Sequence, residues 1–286
     1  MANLSFGIKT APQHTSYEAM LTVWKEADAI PAIEHAWLFD HLAPIHSDVS
    51  GPCLEGWTLL AAFAAQTSRL RVGLMVTGNT YRHPGVLANM AATVDIISNG
   101  RLDFGIGAGW NEYEHNSMGI PLYAPGERLR RFGEACAVIK QLFTQEVTTF
   151  DGRYYQLKEA RCEPKPVQKP HPPFLIGGGG EKVTLRIVAE HADIWNFPNP
   201  RAGAAEEFSR KIEILHQHCE AVGRDPAEIT LSVQPVVNYD NLKETTQTVQ
   251  EFVDAGATHI VLNLRPPYPE GIVQRLADEV ITQVQA

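Results

Sequence analysis

Apolar residues recur along this chain at two spacings that alternate from end to end. Short runs rich in β-branched and apolar residues fall at 4–8, 36–39, 70–76, 102–106, 174–176, 194–197, 229–237 and 259–264. Each predicts a strand. Between them, apolar positions fall three and four apart over 17–29, 57–66, 85–97, 127–143, 182–190, 206–222, 245–254 and 270–284, the spacing of a helix with one buried face. Eight strand–helix units predict an α/β fold. A closed (β/α)8 barrel is favoured over an open doubly wound sheet, because closure leaves no strand edge unpaired. A nucleotide-binding half followed by a separate substrate domain is the alternative. The expected organisation is one domain over 1–286, interrupted at 144–173 by an insertion between the fourth helix and the fifth strand. That insertion carries Phe150-Asp151-Gly152-Arg153-Tyr154-Tyr155 and the proline-rich stretch from Glu163-Pro164-Lys165-Pro166 to His171-Pro172-Pro173. It predicts a small hairpin turning at Asp151-Gly152 and a stiff return to the barrel.

Composition narrows the partners. With 44% apolar and 20% charged residues in 286, the chain can bury a sizeable core. Its 24 Lys+Arg against 33 Asp+Glu leave a net charge of −9, without the basic footprint of a nucleic-acid binder. Cys53, Cys136, Cys162 and Cys219 are too widely spaced for a CxxC pair and too few for a secreted disulfide framework, so free thiols and a cytoplasmic location are expected, with no metal site. The first nine residues lack the basic-then-apolar pattern of an export signal. The longest mostly apolar stretch, 54–65, contains Glu55 and falls short of the ~18 residues that span a bilayer, so no membrane partner is expected.

In a (β/α)8 barrel the residues just beyond each strand converge on one face. Here those positions hold Phe39-Asp40-His41, then Met75-Val76-Thr77-Gly78-Asn79, Gly107-Ala108-Gly109-Trp110-Asn111 and Gly177-Gly178-Gly179-Gly180, and later Trp195-Asn196-Phe197, Gln234 and Asn263-Leu264-Arg265. The run from Gly177 to Gly180, between a strand and a helix, points to phosphate binding, since glycines let backbone N–H groups approach an anion that a helix N-terminus also favours. A flexible tight turn is the alternative. Gly105 to Gly109 would let a flat ring lie against backbone, or else serve close strand packing. His41 next to Asp40 is a candidate proton donor, with a structural histidine as the alternative. Asn111 and His115 share a helical face but bring too few ligands for a metal, so a solvated capping segment is expected there.

Taken in order, Asp40-His41, Gly78-Asn79-Thr80-Tyr81-Arg82-His83-Pro84, Gly107-Ala108-Gly109-Trp110-Asn111 followed by Glu114-His115, the glycine run and the insertion resemble the luciferase-like flavin and deazaflavin oxidoreductases. The branch most resembled uses the deazaflavin coenzyme F420, as in the mycobacterial reductases. The resemblance implies hydride transfer at C5 of a deazaflavin, with His41 as proton donor or ring-orienting group and a small molecule as substrate. It implies cofactor contacts from Asp40, Leu74, Met75, Thr77, Asn79, Ala108, Gly109, Asn111, Gly177, Gly178, Gly179 and Gly180, and a non-prolyl cis peptide at Leu74–Met75. It also implies a homodimer. Sugar-phosphate dehydrogenases of the family carry a catalytic glutamate where this chain has Trp110, and their phosphate-gripping lysines lack counterparts in Asn196-Phe197-Pro198-Asn199. An apolar or unsaturated substrate lined by Trp110, Trp195 and Phe197 is therefore expected. The alternatives are a reduced-FMN monooxygenase on the same barrel, a deazaflavin carrier or sensor without turnover, and a non-redox barrel for another phosphorylated ligand.

Overall fold

The computed structural model describes residues 4–198 and 200–285, so Met1 to Asn3 of the N-terminal segment and Asn199 after the sixth barrel strand lie outside it. In chain order the strands are β1 (Ser5–Thr10), β2 (His35–Leu38), β3 (Arg71–Leu74), β4 (Thr77–Gly78), β5 (Leu102–Gly107), β6 (Thr148–Asp151), β7 (Gln156–Ala160), β8 (Phe174–Gly177), β9 (Ile194–Phe197), β10 (Thr230–Val233) and β11 (His259–Leu264). All but β6 and β7 belong to one parallel sheet, which closes on itself when β3 and β4 both pair with β5. β3 and β4 are two pieces of one strand, so the barrel has eight staves. The cis peptide between them joins Met75 to Val76, one residue later than the expected Leu74–Met75.

The helices are α1 (Tyr17–Ala29), α2 (Gly56–Ala64), α3 (Pro84–Ile97), α4 (Glu112–Met118), α5 (Pro125–Thr144), α6 (Thr184–His191), α7 (Ala205–Val222), α8 (Leu242–Asp254) and α9 (Ile272–Glu279). The short α4 is an addition to the eight predicted, and α5 follows it before the insertion. β6 and β7 form the insertion's antiparallel hairpin, with Phe150 opposite Leu157. The turn spans 152–155, longer than the expected reversal at Asp151-Gly152, because Glu134 of α5 accepts the N–H groups of Arg153, Tyr154 and Tyr155 and holds the loop open.

Strand alternation divides the apolar residues between two cores. Trp37, Met75, Leu175, Ile194 and Val261 cluster inside the barrel, while the larger cluster, including Leu74, Phe104, Trp195, Phe197 and Phe208, packs outside the strands against the helices. Trp195 and Phe197 are fully buried in that outer layer. Trp195 stacks on Phe208 of α7 with ring centroids 5.6 Å apart and donates its indole N–H to the Gly178 carbonyl at 2.8 Å. This corrects their assignment to a substrate pocket: in β9 the inward residues are Ile194 and Asn196, so Trp195 and Phe197 must face the helices.

Beneath the inner plug, at the N-terminal end of the barrel, the rings of His35 and His259 stack at 4.0 Å. Trp37 donates to His35 Nδ1 at 2.7 Å, and the Ser232 hydroxyl lies 2.8 Å from His259 Nδ1. Burial, the repulsion between the two rings and nearby Arg71 push His35 well below its usual range. Burial likewise pushes His259 down to about 3. All four cysteines are free, and among the described residues no helix is long and apolar enough to cross a membrane.

Two outcomes follow from this packing. Trp195→Ala should cost about 3–5 kcal/mol in urea unfolding, since it empties a fully buried ring site; a loss below 1 kcal/mol would return Trp195 to a solvent-lined pocket. His259 stays neutral in the fold, whereas its unfolded form protonates near pH 6.5, so the unfolded state takes up the proton as pH falls from 6.5 toward 3. Stability should drop through that window by up to about 1.4 kcal/mol per pH unit for this one group. The gap between urea midpoints at pH 7.5 and 5.5 should therefore be smaller in His259→Gln than in the parent, with His35 still contributing its own part, and an unchanged gap would show that His259 does not contribute.

Candidate active site

A cavity of about 720 Å³ opens at the C-terminal end of the barrel. Its floor is divided. On one side β5 and β8 present Gly107 and Gly177, and a Cβ at Gly107 would come within 2.8 Å of the Val76 side chain. On the other side β9, β10, β11 and β1 lead to Asn196, Gln234, Asn263 and Lys9. One half is glycine backbone covered by the Val76 side chain, a flat apolar surface, and the other half is polar.

His41 follows β2 and borders the cavity. Its Nδ1 lies 2.8 Å from Glu114 Oε2, and Glu114 is completely buried. The same carboxylate accepts the Tyr81 hydroxyl at 2.5 Å and the backbone N–H groups of Leu42 and Ala43. Burial pushes the Glu114 carboxyl up, but the bonds from His41, Tyr81 and Leu42 outweigh it and hold the group below its ordinary value. An ionised Glu114 keeps a proton on Nδ1, which leaves Nε2 of His41 as the nitrogen available to a ligand. Burial and contact with Glu114 push the Tyr81 phenol up, so Tyr81 stays a donor.

Glu114 was legible only as part of a motif, and its role was missed. The helix that carries it, α4, has seven residues, too few for a periodic pattern to show which side is buried. His115 likewise corrects the expectation of a solvated cap: it is buried, with Nδ1 2.6 Å from the Asn111 carbonyl and Nε2 2.7 Å from the Thr80 hydroxyl.

Of the other residues singled out, Asp40, Met75, Ala108, Gly109, Trp110, Gly177 and Gly178 border the cavity. Asp40 is gripped by Arg82, at 2.5 Å and 3.1 Å, and by the Thr77 hydroxyl. Burial raises the Asp40 carboxyl, with Arg82 and Thr77 acting against that rise. Trp110 is half exposed at the rim, edge-on to His41 at 5.6 Å and stacked on His46 at 5.7 Å. Leu74, Thr77, Asn79, Asn111, Gly179 and Gly180 are not among the lining residues. Leu74 faces outward by strand alternation, and Thr77 turns its hydroxyl to Asp40. Asn79 donates to the Tyr155 hydroxyl of the insertion at 3.2 Å, and Asn111 caps α4.

Gly178 donates to the Asn196 carbonyl and the Gly179 carbonyl accepts Lys211 Nζ at 2.7 Å. Among the described residues the N–H groups of Gly179 and Gly180 have no protein acceptor, and α6 begins just beyond them without a side-chain cap. Free donors close to a helix start are groups that can hold an anion such as a phosphate.

The profile of the luciferase-like monooxygenase family matches residues 4–278. An uncharacterized protein of Mycobacterium tuberculosis (strain ATCC 25618 / H37Rv) is 35% identical over 81% of this chain and 74% of its own. An F420-dependent glucose-6-phosphate dehydrogenase of Kineococcus radiotolerans is 30% identical over 73% of this chain and 60% of its own. Among solved structures, an F420-dependent secondary alcohol dehydrogenase in complex with an F420–acetone adduct superposes with a TM-score of 0.86 at 19% identity, over 99% of this chain and 100% of that one. With a family match that runs through nearly every barrel element and both halves of the divided cavity, this chain belongs to the luciferase-like monooxygenase family.

Proposed function

We propose that this protein is an oxidoreductase that uses the deazaflavin coenzyme F420 and moves a hydride to or from a small organic substrate that is apolar or unsaturated at its reacting end. The observation that carries this reading is the His41–Glu114 pair at the edge of a cavity with a glycine floor. The F420-dependent enzymes among its relatives and fold neighbours support the choice of cofactor.

When bound, the cofactor would supply the hydride at its C5. The chain's own residues do the rest. Gly107 and Gly177 make room for Val76, whose side chain would support the ring, and the free N–H groups of Gly179 and Gly180 would hold its phosphate. Glu114 fixes the His41 tautomer and plane, so that Nε2 exchanges a proton with the substrate from one defined position. Trp110 offers a broad apolar face at the rim, close to His41, against which an unsaturated substrate can pack.

The first test is binding. Titration with F420 and, separately, with FMN, followed by fluorescence quenching, should show tight binding of the deazaflavin; tight binding of FMN alone would favour the monooxygenase alternative. Gly179→Asp should weaken F420 binding at least about tenfold with no change in unfolding midpoint, because it puts a carboxylate against the phosphate position. Parent affinity in that variant would reduce the glycine run to a turn.

His41→Ala should slow oxidation of reduced F420 by unsaturated carbonyl acceptors about 10²–10⁴-fold while leaving F420 affinity near that of the parent. Glu114→Gln should slow it to a similar degree, since the amide offers one acceptor oxygen where the carboxylate serves donors on both. The double variant should be no slower than His41→Ala alone. Additive losses would show that Glu114 acts independently of His41.

A further inference from the structure

Lys9 is the cavity-lining charge that the proposed chemistry leaves without a task. It projects from β1 into the polar half of the floor and is 9% exposed. An ammonium has three N–H donors. One goes to Gln234 Oε1 at 2.6 Å, and among the described residues no carboxylate comes within ion-pair distance. Nor can the network behind Gln234 supply negative charge. Gln234 Nε2 donates to Asn196 Oδ1 at 2.7 Å, Asn196 Nδ2 donates to the Ser232 hydroxyl at 2.9 Å, and Ser232 in turn faces Nδ1 of the neutral His259. The relay fixes the Gln234 amide with its oxygen toward Lys9 and ends in an uncharged ring.

A buried ammonium with two open donors and no counter-charge is costly in a folded chain unless a ligand completes it. Around the barrel, β1 is four strands from β8, so Lys9 lies across the floor from the glycine loop and is remote from the phosphate position. The other cations on the wall, Arg201 and Arg265, are exposed at the rim, and the lining carboxylate, Asp40, is already paired with Arg82.

We propose that Lys9 is a carboxylate-binding subsite, and that the small substrate of this cavity is an organic acid whose carboxylate seats on the Lys9 ammonium while its apolar part extends toward Trp110 and His41. One uncompensated positive charge matches one carboxylate; a phosphate monoester carries nearly two negative charges and would leave the excess buried. Burial without an anion also lowers the Lys9 ammonium to about 8, and a bound carboxylate would reverse that shift.

The inference deepens the redox reading of the cavity but is tested separately from it. Calorimetric titration of the whole protein, with and without F420, would use acetate, crotonate, benzoate and cinnamate, each against its own primary amide. At least one acid should bind about tenfold or more tighter than its amide in the parent. Lys9→Met should erase that preference with no loss of unfolding midpoint and with F420 affinity retained. Gln234→Glu should erase it too, by supplying Lys9 with a carboxylate from within the chain. Equal binding of every acid and its amide by the parent would overturn the proposal, as would a preference that survives Lys9→Met. Failure of the parent to bind F420, with the acid preference intact, would overturn the redox reading alone.

Discussion

The arrangement of the cavity mouth depends on one buried carboxylate. Glu114 has no contact with solvent, and it accepts hydrogen bonds from His41, Tyr81 and the backbone N–H groups of Leu42 and Ala43. A carboxylate so placed must be fully satisfied or it protonates, and satisfying it requires three segments to meet: the loop after β2, the loop after β4 and the helix α4. The strands fix where these segments begin but not how they lie against one another. Glu114 supplies that missing constraint, and its effect passes to His41, whose ring plane and tautomer are set by the bond to Nδ1. A second hub works beside it: Arg82 ties Asp40 to Glu55, which also caps α2.

The cavity exists because the inward positions change character from one layer to the next. Trp37, Met75, Leu175, Ile194 and Val261 fill the barrel with apolar side chains, so no channel runs through it. In the layer above, Gly107 and Gly177 remove side chains from one half, while Lys9, Asn196, Gln234 and Asn263 occupy the other. Any Cβ on the glycine side would meet Val76, which already covers that region. Depth is therefore set by the apolar plug, and the division of the floor by which strands carry glycine in the same layer.

The barrel was readable because eight apolar runs and eight helical patterns alternate without a break, and each pattern reports a buried face directly. The site was readable where chemistry follows a strand end, at Asp40-His41 and Gly177-Gly178. It was misread at Trp195 and Phe197, although the signal was present: residues two apart on one strand share a face, and polar Asn196 between them marks the inward side. Thr77 was misplaced for another reason. Its side chain serves Asp40, a contact across 37 residues that no local pattern encodes. Glu114 and Lys9 lie between these cases. Glu114 stands within a quoted motif and Lys9 one residue past the first predicted strand, but their importance lies in partners, present for Glu114 and absent for Lys9, that only the folded chain reveals.

A net charge of −9 describes the outside of this molecule and says little about its cavity. The electrostatics of a recess depend on the charges left over after the buried ones have paired. Asp40 is neutralised by Arg82, and the Glu114 carboxylate is surrounded by its own donors. Lys9, Arg201 and Arg265 face the same space without a carboxylate partner among the described residues. An acidic chain thus encloses a recess whose unpaired side chains are cationic. The same pairing logic explains how a buried carboxylate can stand behind His41 without making the cavity negative: its charge is contained by four donors before it reaches the recess.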